Sequence, residues 1–176
     1  MKNRKLKLQE LNRLSTSEFK EADKTPLVVV LDNIRSLNNV GSVFRSADAF
    51  RIEKIYLCGI TAQPPHREIH KTAIGATETV DWEYREDVHS LMEELKEDYV
   101  ALAIEQAENS VMLDEFTIDS EKKYAIVMGN EVEGVNQEVV NTVDHVIEVP
   151  QIGTKHSLNI SVCTGVVLWE FFKALK

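Results

Sequence analysis

The chain has 176 residues, 43% of them hydrophobic, and a formal net charge of −9. That length can bury a core without disulfide or metal staples, and the composition excludes a disordered chain. No apolar stretch approaches the roughly 20 residues of a membrane span, and the acidic balance counts against nonspecific nucleic-acid binding.

Residues 1–25 read as a basic helical arm ahead of a single domain over 26–176. The arm holds Lys2, Arg4, Lys5, Lys7, Arg13 and Lys20 against Glu10 and Glu18. Such a local field attracts a polyanion even on an acidic body, because screening weakens the distant charges. Leu6, Leu11 and Leu14 form a partial apolar stripe, and Ser15-Thr16-Ser17-Glu18 offers a helix cap. No apolar signal region follows the basic start, so a cytoplasmic protein is expected. Cys58 and Cys163 lie in apolar runs and read as free thiols rather than metal ligands or a disulfide, which fits a reducing compartment.

The body alternates strand and helix. Pro26–Asp32 is a β-branched run of the kind buried on both faces of a sheet. Val40, Val43, Phe44 and Ala47 then recur at helical spacing. Lys54–Ile60 reads as a strand and residues 65–75 as a helix or irregular turn ending near Gly75. Glu78–Tyr84 reads as a strand, Val88–Lys96 as a helix, and Tyr99–Ile104 as a strand. Tyr124–Met128 and His145–Val149 are further strands on either side of a helix over Gln137–Val143. Leu158–Leu175 is a long, very apolar final helix. The alternation predicts an α/β fold, a mostly parallel sheet flanked by helices.

Three polar segments follow strands, where open α/β sheets bind ligands. In Asn38–Arg45, Arg45 falls opposite the apolar helical face, free for a ligand or for a weak surface pair with Asp48. Asn39 suits a helix N-cap, and spacing alone does not choose between Asn38 and Asn39. Gly41 indicates close backbone approach or simple packing. Gly129–Gly134 is a tight loop lacking the Gly-Lys-Ser/Thr of a phosphate loop. Its Glu131 and Glu133 suit a cationic or hydroxyl-bearing ligand better than phosphate. From Pro150 the chain runs through Gly153 to Ser157-Leu158-Asn159. Ser157 could cap the last helix, whereas Asn159 sits poorly in a first turn unless its amide has a partner. The His66-Arg67-Glu68-Ile69-His70 spacing is not the metalloprotease order, so no metal site is expected and a surface helix is the plainer reading. Trp82 and Trp169 read as packing residues rather than base-stacking platforms.

Together the three segments resemble the SpoU (TrmH-like) branch of the SPOUT RNA methyltransferases. N-x-G-x-x-x-R appears as Asn39–Arg45, G-N-E-x-x-G as Gly129–Gly134, and S-L-N-[VI]-S as Ser157–Ser161, in the family's order. The resemblance covers roughly residues 26–175 and selects Asn39 over Asn38. It implies an S-adenosylmethionine-dependent enzyme methylating a ribose 2'-hydroxyl in RNA, a homodimer whose protomers share each active region, and a deep C-terminal trefoil knot. It implies cofactor contacts at Gly129, Val149 and Leu158, with a further one near Leu102. It implies catalysis by Arg45, with Asn39, Glu131, Ser157 and Asn159 positioning the ribose or supporting the arginine. Larger relatives carry an added RNA-binding domain, whereas about 25 residues precede the first strand here, which tilts the expected RNA toward tRNA over rRNA. The alternative is a non-catalytic RNA-binding or assembly protein that keeps the fold; the retained Arg45, Glu131, Ser157 and Asn159 argue against it.

Overall fold

A computed structural model describes residues 3–176. An interior strand, β1 (Thr25–Asp32), has its Leu27–Leu31 stretch buried on both faces. Around it lie β2 (Ile52–Cys58), β3 (Trp82–Arg85), β4 (Val100–Ile104), β5 (Val111–Met112), β6 (Tyr124–Met128) and β7 (His145–Glu148). They form one sheet in the order β3-β2-β1-β6-β4-β7-β5, with every strand pairing parallel. Each pairing of consecutive strands therefore needs a crossover, and helices supply most of them.

Alternation along β1 divides the core in two. Leu27, Val29 and Leu31 face α2 (Leu37–Ala49) and α7 (Ile160–Leu175), where Val40, Phe44, Val167 and Phe171 are buried. Val28 and Val30 face α5 (Val88–Leu95) and α6 (Gln137–Thr142), through Leu91, Met92 and Val139. Full burial of one such side chain contributes roughly 1.5–3 kcal/mol. Register then decides where ligands can gather. Leu31 pairs with Met128, and Met128 with Ile104, so β1, β6 and β4 end side by side. The segments after Asp32, Ile104 and Met128 emerge at one edge.

Gly41 settles one packing question. α2 crosses α3 (Arg67–Ala73) so closely that a Cβ at Gly41 would lie 2.1 Å from Thr72 Oγ1 and 2.3 Å from the Ile69 carbonyl oxygen. The glycine serves helix packing.

Several boundaries differ from the sequence reading. Residues 76–79, expected partly as strand, form the short helix α4 (Ala76–Thr79). Gly75 reverses the chain at φ +86, and the N–H groups of Glu78 and Val80 then close turns onto the carbonyls of Gly75 and Ala76. The two-residue edge strand β5 is too short to show a period. The last helix starts at Ile160, two residues later than predicted, because Asn159 caps it.

The arm is not one helix. A short 3-10 turn over Leu8–Leu11 precedes α1 (Thr16–Glu21), which opens on a reciprocal cap between Ser15 and Glu18. Phe19 is buried in the main core and ties α1 to the body. Leu6, Leu11 and Leu14 are exposed, so the predicted stripe is not buried on the body. Cys58 is buried and Cys163 half-buried, both free. Among the described residues no group of His, Cys, Asp and Glu could hold a metal ion, and no helix is long and apolar enough to cross a membrane.

Candidate functional site

The loop after β6 is held in a tight reversal. Asn130 and Gly134 exchange two backbone hydrogen bonds at 2.9 Å, and Gly134 sits at φ +72. Inside the loop, Asn130 Oδ1 accepts the N–H groups of Val132 and Glu133, while its Nδ2 donates to the Asn33 carbonyl at 2.8 Å. A Cβ at Gly129 would lie 2.2 Å from the Gly134 carbonyl carbon, so only glycine fits where the loop folds back.

This shape aims Glu131 at the start of α2. Its carboxylate accepts Arg35 N–H at 3.0 Å, Ser36 N–H at 3.1 Å and Asn39 Nδ2 at 3.1 Å. Burial alone would raise the Glu131 pKa. The donors from Arg35, Asn39 and Ser36 outweigh it and hold the carboxyl below its ordinary range. The sequence reading assigned this charge to a ligand; here it answers backbone N–H groups at a helix start.

Asn39 lies inside α2, because Ser36 takes the N-cap. Its amide is therefore free for other partners. Besides donating to Glu131, it accepts Asn159 Nδ2 at Oδ1, 3.2 Å away. Asn159 caps α7 through Oδ1, which accepts Ser161 N–H at 3.0 Å. A continuous chain Glu131–Asn39–Asn159 thus joins all three motifs. The Asn159 misfit argument disappears, since an asparagine at an N-cap needs no further reason. Its outward amide is what the cap position leaves over.

Beside this chain lies a cleft of about 480 Å³, within the range of small-molecule sites. Gly129, Val149, Ser157, Leu158 and Asn159 line it, with apolar walls from Ile104, Met128 and Ile160. Ser157 lies on the exposed loop before the helix, two residues short of the cap position that it could have taken. That loop is tied back where Gln106 Nε2 donates to the His156 carbonyl at 2.8 Å.

Two residues named from the sequence lie elsewhere. Leu102 is fully buried in mid-β4, paired with Ile126 and His145, and does not line the cleft. Ile104, Glu105 and Gln106, at the end of that strand, do. The register explains the difference: a contact must come from the strand's carboxyl end, two residues further on. Arg45 is exposed, outside the cleft lining, and six residues from Asn39, about 9 Å along the helix. Among the described residues its side chain makes no hydrogen bond or ion pair. The surface pair with Asp48 is not formed; Asp48 accepts the Thr79 hydroxyl instead.

Sequence reasoning missed Glu105, Gln106 and the backbone of Arg35–Ser36, and it quoted Asn130 in its motif without giving it a role. Only Glu105 left a readable signal, a charge directly after the buried run Val100–Ile104.

Known proteins resemble this chain. Residues 26–169 match the model of the SpoU rRNA Methylase family. The 23S rRNA (guanosine-2'-O-)-methyltransferase RlmB of Vibrio parahaemolyticus is 30% identical over 165 residues, covering 92% of this chain and 65% of that protein. Among solved structures, the AdoMet-bound rRNA methyltransferase of Sinorhizobium meliloti superposes with a TM-score of 0.78 at 25% identity, over 90% of this chain and 60% of that one. The A. aeolicus TrmH/SpoU tRNA modifying enzyme gives the same TM-score at 26% identity, over 90% of this chain and 81% of that one. The chain spans about two thirds or less of the length of the first two of these proteins.

Proposed function

Because this chain belongs to the SpoU rRNA Methylase family, we propose that it is an S-adenosylmethionine-dependent methyltransferase acting on a ribose 2'-hydroxyl in RNA. The observation that carries the reading is the Glu131–Asn39–Asn159 chain, which draws three separate motifs together beside a small-molecule cleft. The cleft suits the methyl donor. It has apolar walls for an adenosine and methylene groups, backbone at Gly129 and Val149 for polar edges, and carboxylates for a cationic ligand. When bound there, the donor supplies a methyl group already activated by its sulfonium.

The chain's own residues have the remaining work. Gly129, Val149 and Leu158 hold the donor, and Asn39 and Asn159, fixed by Glu131, position the ribose. Ser157 has no side-chain hydrogen bond among the described residues and is free to turn to the substrate. Alignment of this kind contributes up to about 7–11 kcal/mol in ideal cases. Arg45 is the proposed catalytic group. An arginine is a poor base at neutral pH, so its role is to stabilise the alkoxide that develops as the hydroxyl passes its proton to solvent water. Its exposure and lack of partners support a group that awaits RNA.

A homodimer belongs to the same proposal. α7 is apolar on two sides: Ile160, Val167, Leu168 and Phe171 are buried, while Val162, Val166 and Trp169 are 55%, 41% and 48% exposed. Trp169 has Phe50 and Phe172 beside it, with ring centroids 5.9 and 6.1 Å away. A second copy would cover this face. The trefoil knot also belongs here, supported by the return of residues 150–159 from β7 past Gln106 to α7, which packs on α2 and β1. So do residues 1–25 as an RNA-contacting arm, residues 26–176 as the catalytic domain, and a cytoplasmic location, which the two free thiols support.

The relatives do not bear out a preference for tRNA: one similar structure is named a tRNA modifying enzyme, another an rRNA methyltransferase. The one matched over 92% of this chain is named for 23S rRNA, which sets rRNA first. The deciding experiment incubates the protein with labelled methyl donor and separate rRNA and tRNA pools, then maps the modified nucleotide. A ribose 2'-O-methyl mark on one pool is expected; donor binding without transfer to any RNA would favour the non-catalytic alternative.

A further inference from the structure

Glu105 follows directly on β4 and is half-buried in the cleft wall. Its Oε2 accepts Val135 N–H at 2.8 Å and its Oε1 accepts Gln106 N–H at 2.8 Å. Gly134 passes so near that a Cβ there would lie 2.1 Å from Oε2. Glu105 therefore clamps the far end of the loop whose near end Glu131 holds. The two N–H donors stabilise the carboxylate but leave its charge without a counter-ion. Among the described residues no Lys or Arg pairs with Glu105, and none lines the cleft. A carboxylate in a partly dewatered wall is costly unless a cation meets it.

The other carboxylates of the cleft are placed differently. Glu131 is turned to the start of α2, Glu148 accepts the Ser110 hydroxyl at 2.9 Å, and Glu133 is exposed. The charge of Glu105 is felt across the cleft at α7. There the Cys163 thiol is pushed up to about 11, by burial first and by Glu105 second.

We propose that Glu105 is a specificity-determining residue of the cleft, making it prefer the cationic sulfonium donor to the thioether left after methyl transfer. The proposal rests on the methyltransferase reading. S-Adenosylmethionine carries an ammonium, a sulfonium and a carboxylate, hence a net positive charge. Its product has lost the sulfonium charge and has none. A fixed carboxylate in a half-buried wall separates the two, since Coulomb attraction there is stronger than in bulk water. The product is then released more readily than the donor, and release is a common limit on turnover.

The test is calorimetric binding of three ligands to the full chain: S-adenosylmethionine, S-adenosylhomocysteine, and an analogue bearing a protonated amine in place of the sulfonium. Wild type is expected to bind both cationic ligands about tenfold more tightly than the thioether, with the preference shrinking as salt rises. Glu105→Gln keeps the size and one acceptor. It is expected to weaken both cationic ligands about tenfold and the thioether less than about twofold. Parallel weakening of all three would reduce Glu105 to a clamp and overturn the proposal. So would a wild type without charge preference, a result that needs no variant to fold. Binding of none of the three would instead overturn the methyltransferase reading.

Discussion

Replacing Glu131 with glutamine removes a charge while keeping side-chain length, so it isolates what the carboxylate does for the loop and for α2. Three donors converge on it: the N–H groups of Arg35 and Ser36 and the amide of Asn39. Hydrogen bonds to a charged group contribute about 1.5–3 kcal/mol each in buried settings. Glu131 is exposed, so solvent screening reduces each well below that. A glutamine carbonyl still accepts one or two of the three. The net cost is about 1–2 kcal/mol, and for a chain of this size about 2–4 °C of melting temperature accompanies each kcal/mol. Circular dichroism melts at pH 7 should therefore place Glu131→Gln about 4 °C below wild type. The pH dependence has a definite sign. The folded carboxyl titrates below its ordinary value of 4.5, so its stabilisation is complete above that value and is lost as pH falls through the lower, folded one. The gap between the two proteins should hold from neutral pH down toward the ordinary value of 4.5 and close as pH falls through the lower, folded one. Equal melting temperatures at pH 7, or a gap that persists undiminished at acid pH, would refute the assignment of these donors to the charge.

Four other perturbations test separate parts of the reading. Arg45→Ala should abolish methyl transfer, by about 100-fold or more, with donor affinity and melting temperature unchanged; near-normal turnover removes Arg45 from catalysis. Gly41→Ala forces Cβ against the Ile69 carbonyl and should cost about 1–3 kcal/mol in a denaturant titration; an unchanged midpoint would contradict the close α2–α3 crossing. Val166→Glu should convert the proposed dimer to monomer in light scattering, and a monomeric wild type would refute the α7 interface. Deleting residues 1–20 should lower the slope of RNA affinity against salt by about one for each phosphate that the arm neutralises; an unaltered slope excludes the arm from the RNA.

The strands were the most legible part of the fold, because β-branched runs such as Pro26–Asp32 and Tyr124–Met128 have no competing helical period. Errors fell where tertiary contacts outweigh local pattern. Glu78 looks like the start of a strand, but Gly75 turns the chain and Thr79 bonds to Asp48 on α2, which makes residues 76–79 helical. Leu102 illustrates a register limit: a run of five apolar residues does not say which of them ends the strand in space. Only pairing with β6 and β7 places Ile104 at the edge and Leu102 in the interior.

Within the site, the asparagines were legible for the wrong local reason. Asn159 stood out as a poor first-turn residue, yet it is a cap, and Asn39 stood out as a cap, yet it is inside the helix. What joins them is that a cap uses only one end of an amide. Asn159 accepts Ser161 N–H with its oxygen and has its NH2 left to donate, whereas Asn39, relieved of capping by Ser36, presents both ends. An amide with both ends engaged has a fixed orientation. Glu131 can only accept and Asn159 has only its NH2 to donate, so Asn39 cannot flip without losing both bonds. Asn39→Asp makes this concrete. It would set a carboxylate against the Glu131 carboxylate while still accepting from Asn159, so it should destabilise at neutral pH and recover as acid protonates one of the pair.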